Sequence, residues 1–341
     1  MGIIVLTVAL FPLLGIGGME LFVAEAPGPT SDKIHPRIKE TAKRLWLIYV
    51  GLTGILCGIY VVLGMSFYDA INHALTTMAT GGFSTKNASM AYYSPSIQYV
   101  TTLFMFIAGT NYVLIYFGLK GKLNKVWGSD EFKTYFFTIL TISAIVILLV
   151  NIHTEIPFEQ NIREVSFTVV SLVTTTGFVN GDYTQWSYGA MSLFFILLFA
   201  GACAGSTSGG IKMIRNFVFV KNCFLEFKRL LHPNAVVPLK MDKQVIQSKT
   251  MTHILIFLLL YFLLFVVFTV VVTMFNIDLV SASSAVATAL GNVGPGFGSV
   301  NPTANFAHLP YAVKIILSVL MLIGRLELFS FLIIFTKYFW K

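Results

Sequence analysis

Three short runs of hydroxyl, amide and glycine residues interrupt the apolar character of this chain: Thr80-Gly81-Gly82-Phe83-Ser84, Thr174-Thr175-Thr176-Gly177-Phe178-Val179 and Asn292-Val293-Gly294-Pro295-Gly296. Each lies between apolar segments where a simple membrane hairpin needs only a turn. Each also follows a short amphipathic stretch, 67–79, 163–174 and 281–290, rich in Thr, Ser and Ala. These stretches are too short to cross a bilayer, which takes about 20 residues of helix. The pattern predicts half-depth helices whose C-terminal ends point at the loops.

The flanking segments are long and apolar. Of 341 residues, 56% are hydrophobic and 11% charged, against roughly 25% charged in a soluble domain, so the chain reads as a membrane protein. Apolar spans are expected at 3–22, 45–65, 97–119, 135–152, 187–220, 254–275 and 311–336. The N-terminal one lacks a basic n-region and a small-residue cleavage site, and so reads as a span and not a signal peptide. Span, short helix, glycine loop and span occur three times, with the central glycines Gly82, Gly177 and Gly294 spaced 95 and 117 residues apart. A fold of this kind is all-α, polytopic and pseudo-repeated about a central pore.

Basic residues supply an independent check. Lys and Arg number five in 23–44, four in 120–133, eight in 212–249 and two in 337–341, whereas the alternate connections hold only Lys86 and Arg163. The positive-inside rule then sets the basic loops in the cytoplasm and brings all three glycine loops in from the outer face. The net charge of +8 is thus a topology signal rather than a nucleic-acid footprint. Cys57, Cys203 and Cys223 show no paired spacing, and the six histidines show no metal spacing, so neither a disulfide framework nor a metal site is expected.

Irregular backbone at membrane depth survives only where protein buries it or it lines a water-filled cavity. Glycine lets carbonyls turn inward, rings of carbonyls replace the hydration shell of a monovalent cation, and helix C-termini add negative dipole charge. The constellation favours a dehydrated cation over an anion. The competing explanation, glycine and threonine as ordinary packing residues, does not account for a short helix before every loop.

Residues 201–210, Gly-Ala-Cys-Ala-Gly-Ser-Thr-Ser-Gly-Gly, interrupt the 34-residue apolar stretch 187–220 and should break that helix. Arg325 sits in the middle of the last span, where a charge costs roughly 2.5 to 3.5 kcal/mol. Asn111, midway along another span, suits either a cavity lining or an interhelical hydrogen bond.

The motifs Ala79-Thr80-Gly81-Gly82-Phe83-Ser84-Thr85, Thr175-Thr176-Gly177-Phe178, Asn292-Val293-Gly294-Pro295-Gly296, 201–212 and Gly324-Arg325-Leu326-Glu327 closely resemble the TrkH-type membrane subunit of the bacterial Trk/Ktr/HKT potassium transporters, across essentially the whole chain. The resemblance implies potassium uptake across the inner membrane and four span, pore-helix, filter-loop, span units around one axis. Here those units would be 40–120, 133–225 and 250–338, preceded at 1–25 by the closing span of a first unit that is otherwise missing, which makes a truncated, inactive fragment one alternative. The implied filter residues are Thr80, Gly81, Gly82, Phe83, Thr175, Thr176, Gly177, Phe178, Asn292, Val293, Gly294 and Pro295. The implied intramembrane gate is 201–210, with Gly201, Gly205, Ser206, Thr207, Gly209 and Gly210, and Arg325 supplies a pore charge below the filter. No cofactor is implied beyond the transported K+, with Na+ or H+ coupling left open. The implied partners are membrane lipid, a second copy in a homodimer and a cytoplasmic nucleotide-binding subunit of the TrkA kind on the basic loops. A broken-helix secondary transporter is a rival, but it predicts inverted halves, whereas these three units share one orientation. An intramembrane enzyme needs a nucleophile with its base or a metal cluster, and none is spaced for it.

Overall fold

The computed structural model describes residues 38–341 apart from 236, 243, 327, 338, 339 and 341. The expected first span at 3–22 and the closing span at 1–25 lie outside the described residues. Helices make up nearly all the regular structure, as the apolar periodicity requires. Helix α1 (Ile38–Val62) leads to the half-depth helix α2 (Phe67–Met78), and α3 (Pro95–Ala108) and α4 (Tyr112–Leu119) return. After the short α5 (Leu123–Gly128) the pattern repeats with α6 (Asp130–His153), half-depth α7 (Phe158–Val173) and α8 (Tyr188–Leu197). Helix α9 (Met213–Leu231) and a two-stranded hairpin, β1 (Lys240–Met241) with β2 (Gln244–Val245), precede the last unit of α10 (Ser248–Thr273), half-depth α11 (Leu279–Gly291) and α12 (Tyr311–Arg325), closed by the short α13 (Leu328–Leu332). Among the described residues three helices, Lys43–Val62 within α1, α6 and α10, are long and apolar enough to cross a membrane, or four if the bent pair α3 and α4 counts as one span.

The half-depth helices start where capping chemistry dictates. The Ser66 hydroxyl accepts from Asp69 N at 3.1 Å and the Asp278 carboxylate from Ser281 N at 2.9 Å, satisfying main-chain donors that a helix start leaves unpaired. The third start, at Phe158, follows Pro157. It comes one turn earlier than the polarity of 163–174 suggests, because the polar first turn still belongs to the helix.

Three expected spans are broken. The stretch 97–119 bends by 107° between α3 and α4. Asn111 causes the second helix to restart, its side-chain oxygen accepting from Val113 N at 2.8 Å, a cap that competes with helix continuation. The Asn111 side-chain oxygen is thus used within its own helix. The stretch 187–220 divides at 198–212, as the glycines predict, but α9 continues to Leu231, past the apolar limit at 220. A third, the final stretch 311–336, is one continuous helix only to Arg325, after which come the short α13 and a 3-10 turn at Ile333–Phe335.

Two apolar clusters form the interior. One joins Leu56, Tyr60, Met78, Met105, Phe167, Val173 and Phe194. The other joins Ile254, Tyr261, Ala285, Leu290, Val313 and Leu320. Their boundary runs through the loop between α8 and α9, with Ala202 and Cys203 in the first cluster and Ala204 and Ile211 in the second. That loop is therefore packed on both sides and is not a slack connection.

Candidate functional site

The three glycine loops share one backbone conformation and one set of turn bonds. Thr80, Thr175 and Asn292 adopt φ of 50°, 54° and 54°, and Gly82, Gly177 and Gly294, each two residues on, adopt φ of 64°, 78° and 116°. The turn ending each half-depth helix is shared too: Thr80 N donates to Thr77 O, Thr175 N to Leu172 O and Asn292 N to Ala289 O at 3.0, 3.0 and 3.2 Å. One residue later Gly81 N donates to Thr76 O, Thr176 N to Ser171 O and Val293 N to Thr288 O at 2.7, 2.9 and 3.0 Å. A non-glycine residue in the left-handed region is strained by about 1–2 kcal/mol. Three such residues at equivalent positions mark a conformation imposed by the repeat.

The hydroxyls of Thr76, Ser171 and Thr288 complete each loop and were not singled out in the sequence. Thr76 Oγ1 donates to Phe83 O at 2.9 Å, Ser171 Oγ to Phe178 O at 2.8 Å, and Thr288 Oγ1 accepts from Gly294 N at 2.7 Å. The signal that finds them is spacing, a hydroxyl six residues before each central glycine. The loops also abut one another. A Cβ at Gly82 would fall 1.9 Å from Thr176 O, and a Cβ at Gly177 would fall 1.9 Å from Val293 O and 3.2 Å from Pro295 Cδ, whereas one at Gly294 would meet nothing within 4 Å. Each of the first two loops thus packs its glycine onto the mid-loop carbonyl of the next. The three loops form an arc that is open beside Gly294 among the described residues.

The aromatic positions differ around the arc. Phe178 is 2% exposed and Phe83 is 77% exposed, with Phe178 stacked on His73 at 6.0 Å. His73 carries its own bonds, Nδ1 to Asp69 O at 2.7 Å and Nε2 to Ser84 Oγ at 2.8 Å. Asp69 accepts from Thr85 Oγ1 at 2.5 Å and pairs with Lys86 at 3.4 Å. The Thr85 hydroxyl, helped by Lys86, holds the Asp69 carboxyl below the usual carboxylate range. The far end of the first loop is therefore anchored to the start of its own helix.

The loop 201–210 lies against the C-terminal ends of the half-depth helices. Its stem is closed by Gly201 N donating to Ile211 O at 2.7 Å. Thr207 Oγ1 donates to Met78 O, the end of α2, at 3.0 Å and reaches Ala108 O at 3.2 Å. Gly209 N donates to Thr175 Oγ1 in the second glycine loop at 2.6 Å, and a Cβ at Gly209 would lie 2.5 Å from Gly291 O and 3.1 Å from Asn292 Cβ. Single residues of the loop therefore touch all three helix ends. Gly205 O accepts from Tyr112 N and Gly109 O accepts from Cys203 N, at 3.2 and 3.0 Å, so the break between α3 and α4 exists to receive this loop. Ser206 Oγ donates to Cys203 O at 2.6 Å and meets Ser208 Oγ at 2.8 Å, while Gly210 turns the chain at φ 63°.

Charged groups hold the same loop from outside. Arg325 Nη1 donates to Thr207 O at 3.0 Å, joining the last span to the loop, while Glu327, its alternative partner, lies outside the described residues. Lys212 Nζ donates to Ser208 O and lies 3.2 Å from Ser208 Oγ, and Glu131 Oε1 accepts from Ala204 N at 2.6 Å. Glu131 gives no sign in the sequence beyond being an acid at the start of a span. Its partner is 73 residues away. Among the described residues no group of three or more His, Cys, Asp or Glu side chains is placed to hold a metal. The oxygens of these loops are main-chain carbonyls and hydroxyls, donor types suited to a monovalent cation.

Comparison with known proteins agrees with this geometry. A family model described as TrkH, cation transport protein, matches residues 1–340. The chain is 41% identical to the Trk system potassium uptake protein TrkH of Escherichia coli K12, an alignment that takes in 100% of this chain and 71% of that protein. It is 36% identical to the Trk system potassium uptake protein TrkI of Halomonas elongata, covering 100% of this chain and 69% of the relative. The crystal structure of the potassium transporter TrkH from Vibrio parahaemolyticus superposes with a TM-score of 0.86 at 36% identity, over 100% of this chain and 70% of that one. The chain belongs to the TrkH family of cation transport proteins and is a membrane transport protein, not an enzyme.

Proposed function

We propose that this chain carries potassium ions across the bacterial inner membrane as the translocating subunit of a Trk-type uptake system. The observation that carries the proposal is the threefold recurrence of one backbone conformation, Thr80/Gly82, Thr175/Gly177 and Asn292/Gly294, at the C-terminal ends of three half-depth helices. Helix C-termini favour cations, and Gly-loop carbonyls supply the oxygens that a dehydrated ion requires. In this reading Thr80, Gly81, Gly82, Phe83, Thr175, Thr176, Gly177, Phe178, Asn292, Val293, Gly294 and Pro295 form the filter. The loop 201–210 is the gate, and Arg325, bonded to Thr207 O, places a positive charge at it.

Units 40–120, 133–225 and 250–338 surround the path. The basic loops face the cytoplasm, the filter opens outward, and a nucleotide-binding subunit of the TrkA kind docks on the basic side of a homodimer. The test is rubidium uptake by a potassium-uptake-deficient bacterium expressing the chain, alone and extended upstream of Met1. Uptake that competes with K+ and is abolished by Gly177→Ala supports the assignment, and absence of uptake from both forms overturns it.

A further inference from the structure

We propose that the hairpin β1–β2 is a relay that sets the position of loop 201–210 through the first turn of α6. The inference rests on the reading of that loop as the gate. The hairpin and α6 are joined by a reciprocal clasp across 112 residues: Asp130 N donates to Asp242 Oδ1 at 2.7 Å, and Asp242 N donates to Asp130 Oδ2 at 2.9 Å. The next residue along α6, Glu131, is 5% exposed and accepts from the loop at Ala204 N, at 2.6 Å. Adjacent residues of one helical turn therefore hold the hairpin on one side and the loop on the other. A first turn whose carboxylate partners shift cannot move Asp130 without moving Glu131, since both belong to one hydrogen-bonded turn.

A second route joins the same two regions. Leu239 and Met241, each 3% exposed, and Ile246, 9% exposed, pack in the apolar cluster that contains Ala204 and Ile211 of the loop. Lys221 Nζ donates to Lys240 O at 2.6 Å, tying β1 to α9, the helix that leaves the loop. The hairpin thus reaches the loop by two routes, through the first turn of α6 and through α9, whereas no bond given above ties it to the glycine loops. Its other side carries exposed Val245, at 58%, so a load applied there is passed inward through the clasp.

Amide hydrogen exchange on the full chain in detergent or nanodiscs tests the relay without reference to flux. Asp242→Ala removes one half of the clasp, while Asp242→Asn keeps an oxygen acceptor for Asp130 N. Met241→Ala loosens the hairpin from its apolar side and serves if Asp242→Ala does not fold. The relay predicts that Asp242→Ala and Met241→Ala speed exchange in 201–210 by about tenfold, the loss of one or two net hydrogen bonds, with 79–85 unchanged and Asp242→Asn near the parent. Faster exchange confined to 238–247, or spread equally into 79–85, overturns it. Exchange changed as predicted with rubidium flux unaltered would uphold the mechanical link and remove the gate role instead.

Discussion

The glycine loops and the loop 201–210 are both irregular backbone beside the same three helix ends, but they are held in opposite ways. The turn of each glycine loop is held by its own preceding helix, through a hydroxyl and turn bonds no more than seven residues away, with a smaller number of distant bonds added at Thr175, Val179, Asn292 and Gly296. The loop 201–210, beyond its own internal turns, is tied to partners 34 to 129 residues distant, from Thr175 Oγ1 and Arg325 to Met78 O. Local bonds fix the turn of a loop, so that its shape depends less on where distant helices lie. Distant bonds make one that responds to whichever helix shifts, which suits a selective filter in the first case and a gate in the second.

The sharpest way to break that contrast is to damage a locally held loop. Gly177→Ala places a methyl 1.9 Å from Val293 O at φ 78°, an overlap that no side-chain rearrangement relieves. Together with about 1–3 kcal/mol for overpacking, the strain should abolish selective rubidium uptake with the protein still in the membrane. Gly294→Ala, with nothing within 4 Å of its Cβ position, should retain far more activity in the same assay despite its φ of 116°. Equal loss in both variants would mean that conformation alone, and not packing of loop on loop, governs these glycines.

Next in size is Thr288→Val. It leaves Gly294 N without its 2.7 Å acceptor, a bond worth about 0.5–1.5 kcal/mol net, and should lower the preference for potassium over sodium. Thr288 would hold no filter role if the variant matched the parent in a competition assay. Arg325→Ala removes the bond to Thr207 O and a fixed charge, and should raise the unit flux a fewfold. Reduced flux with reduced membrane expression would assign Arg325 to folding.

The smallest effect concerns pH at the outer end of the first loop. The Asp69 carboxyl is held below its ordinary range by Thr85 and Lys86, so its bonds stabilise that end fully above the unfolded carboxylate value of about 4 and weaken only as the pH falls through the lower folded value. Uptake should therefore be insensitive to Asp69 between neutral pH and about 5, and Asp69→Asn should leave that plateau unchanged. A titration in uptake near neutral pH that Asp69→Asn removes would contradict this.

The same contrast explains what could be read from the sequence. The glycine loops, the short helices before them and the break at 201–210 were legible because their causes are local: hydroxyls and glycines at fixed spacing, and apolar runs too short to span. The bend at 109–111 was not, since Gly-Thr-Asn within an apolar run looks like packing, and its purpose is to pair with Cys203 and Gly205. Nor did Glu131 stand out, because its partner Ala204 is brought near only by the fold. Arg325 was legible as anomalous, though the carbonyl it binds was not. The length of α9 was misjudged for a further reason. Beyond 220 it becomes amphipathic, with Lys221, Lys228 and Arg229 on it, and apolarity no longer marks where the helix ends.

The most direct test of the division between filter and gate is the ratio of rubidium to sodium flux in Thr207→Val. This change removes the hydroxyl bonds to Met78 O and Ala108 O and leaves every bond within the glycine loops intact. The account predicts a total flux several times that of the parent with the rubidium-to-sodium ratio unchanged. A ratio that falls while total flux stays the same would show that the loop shapes the filter and does not gate it.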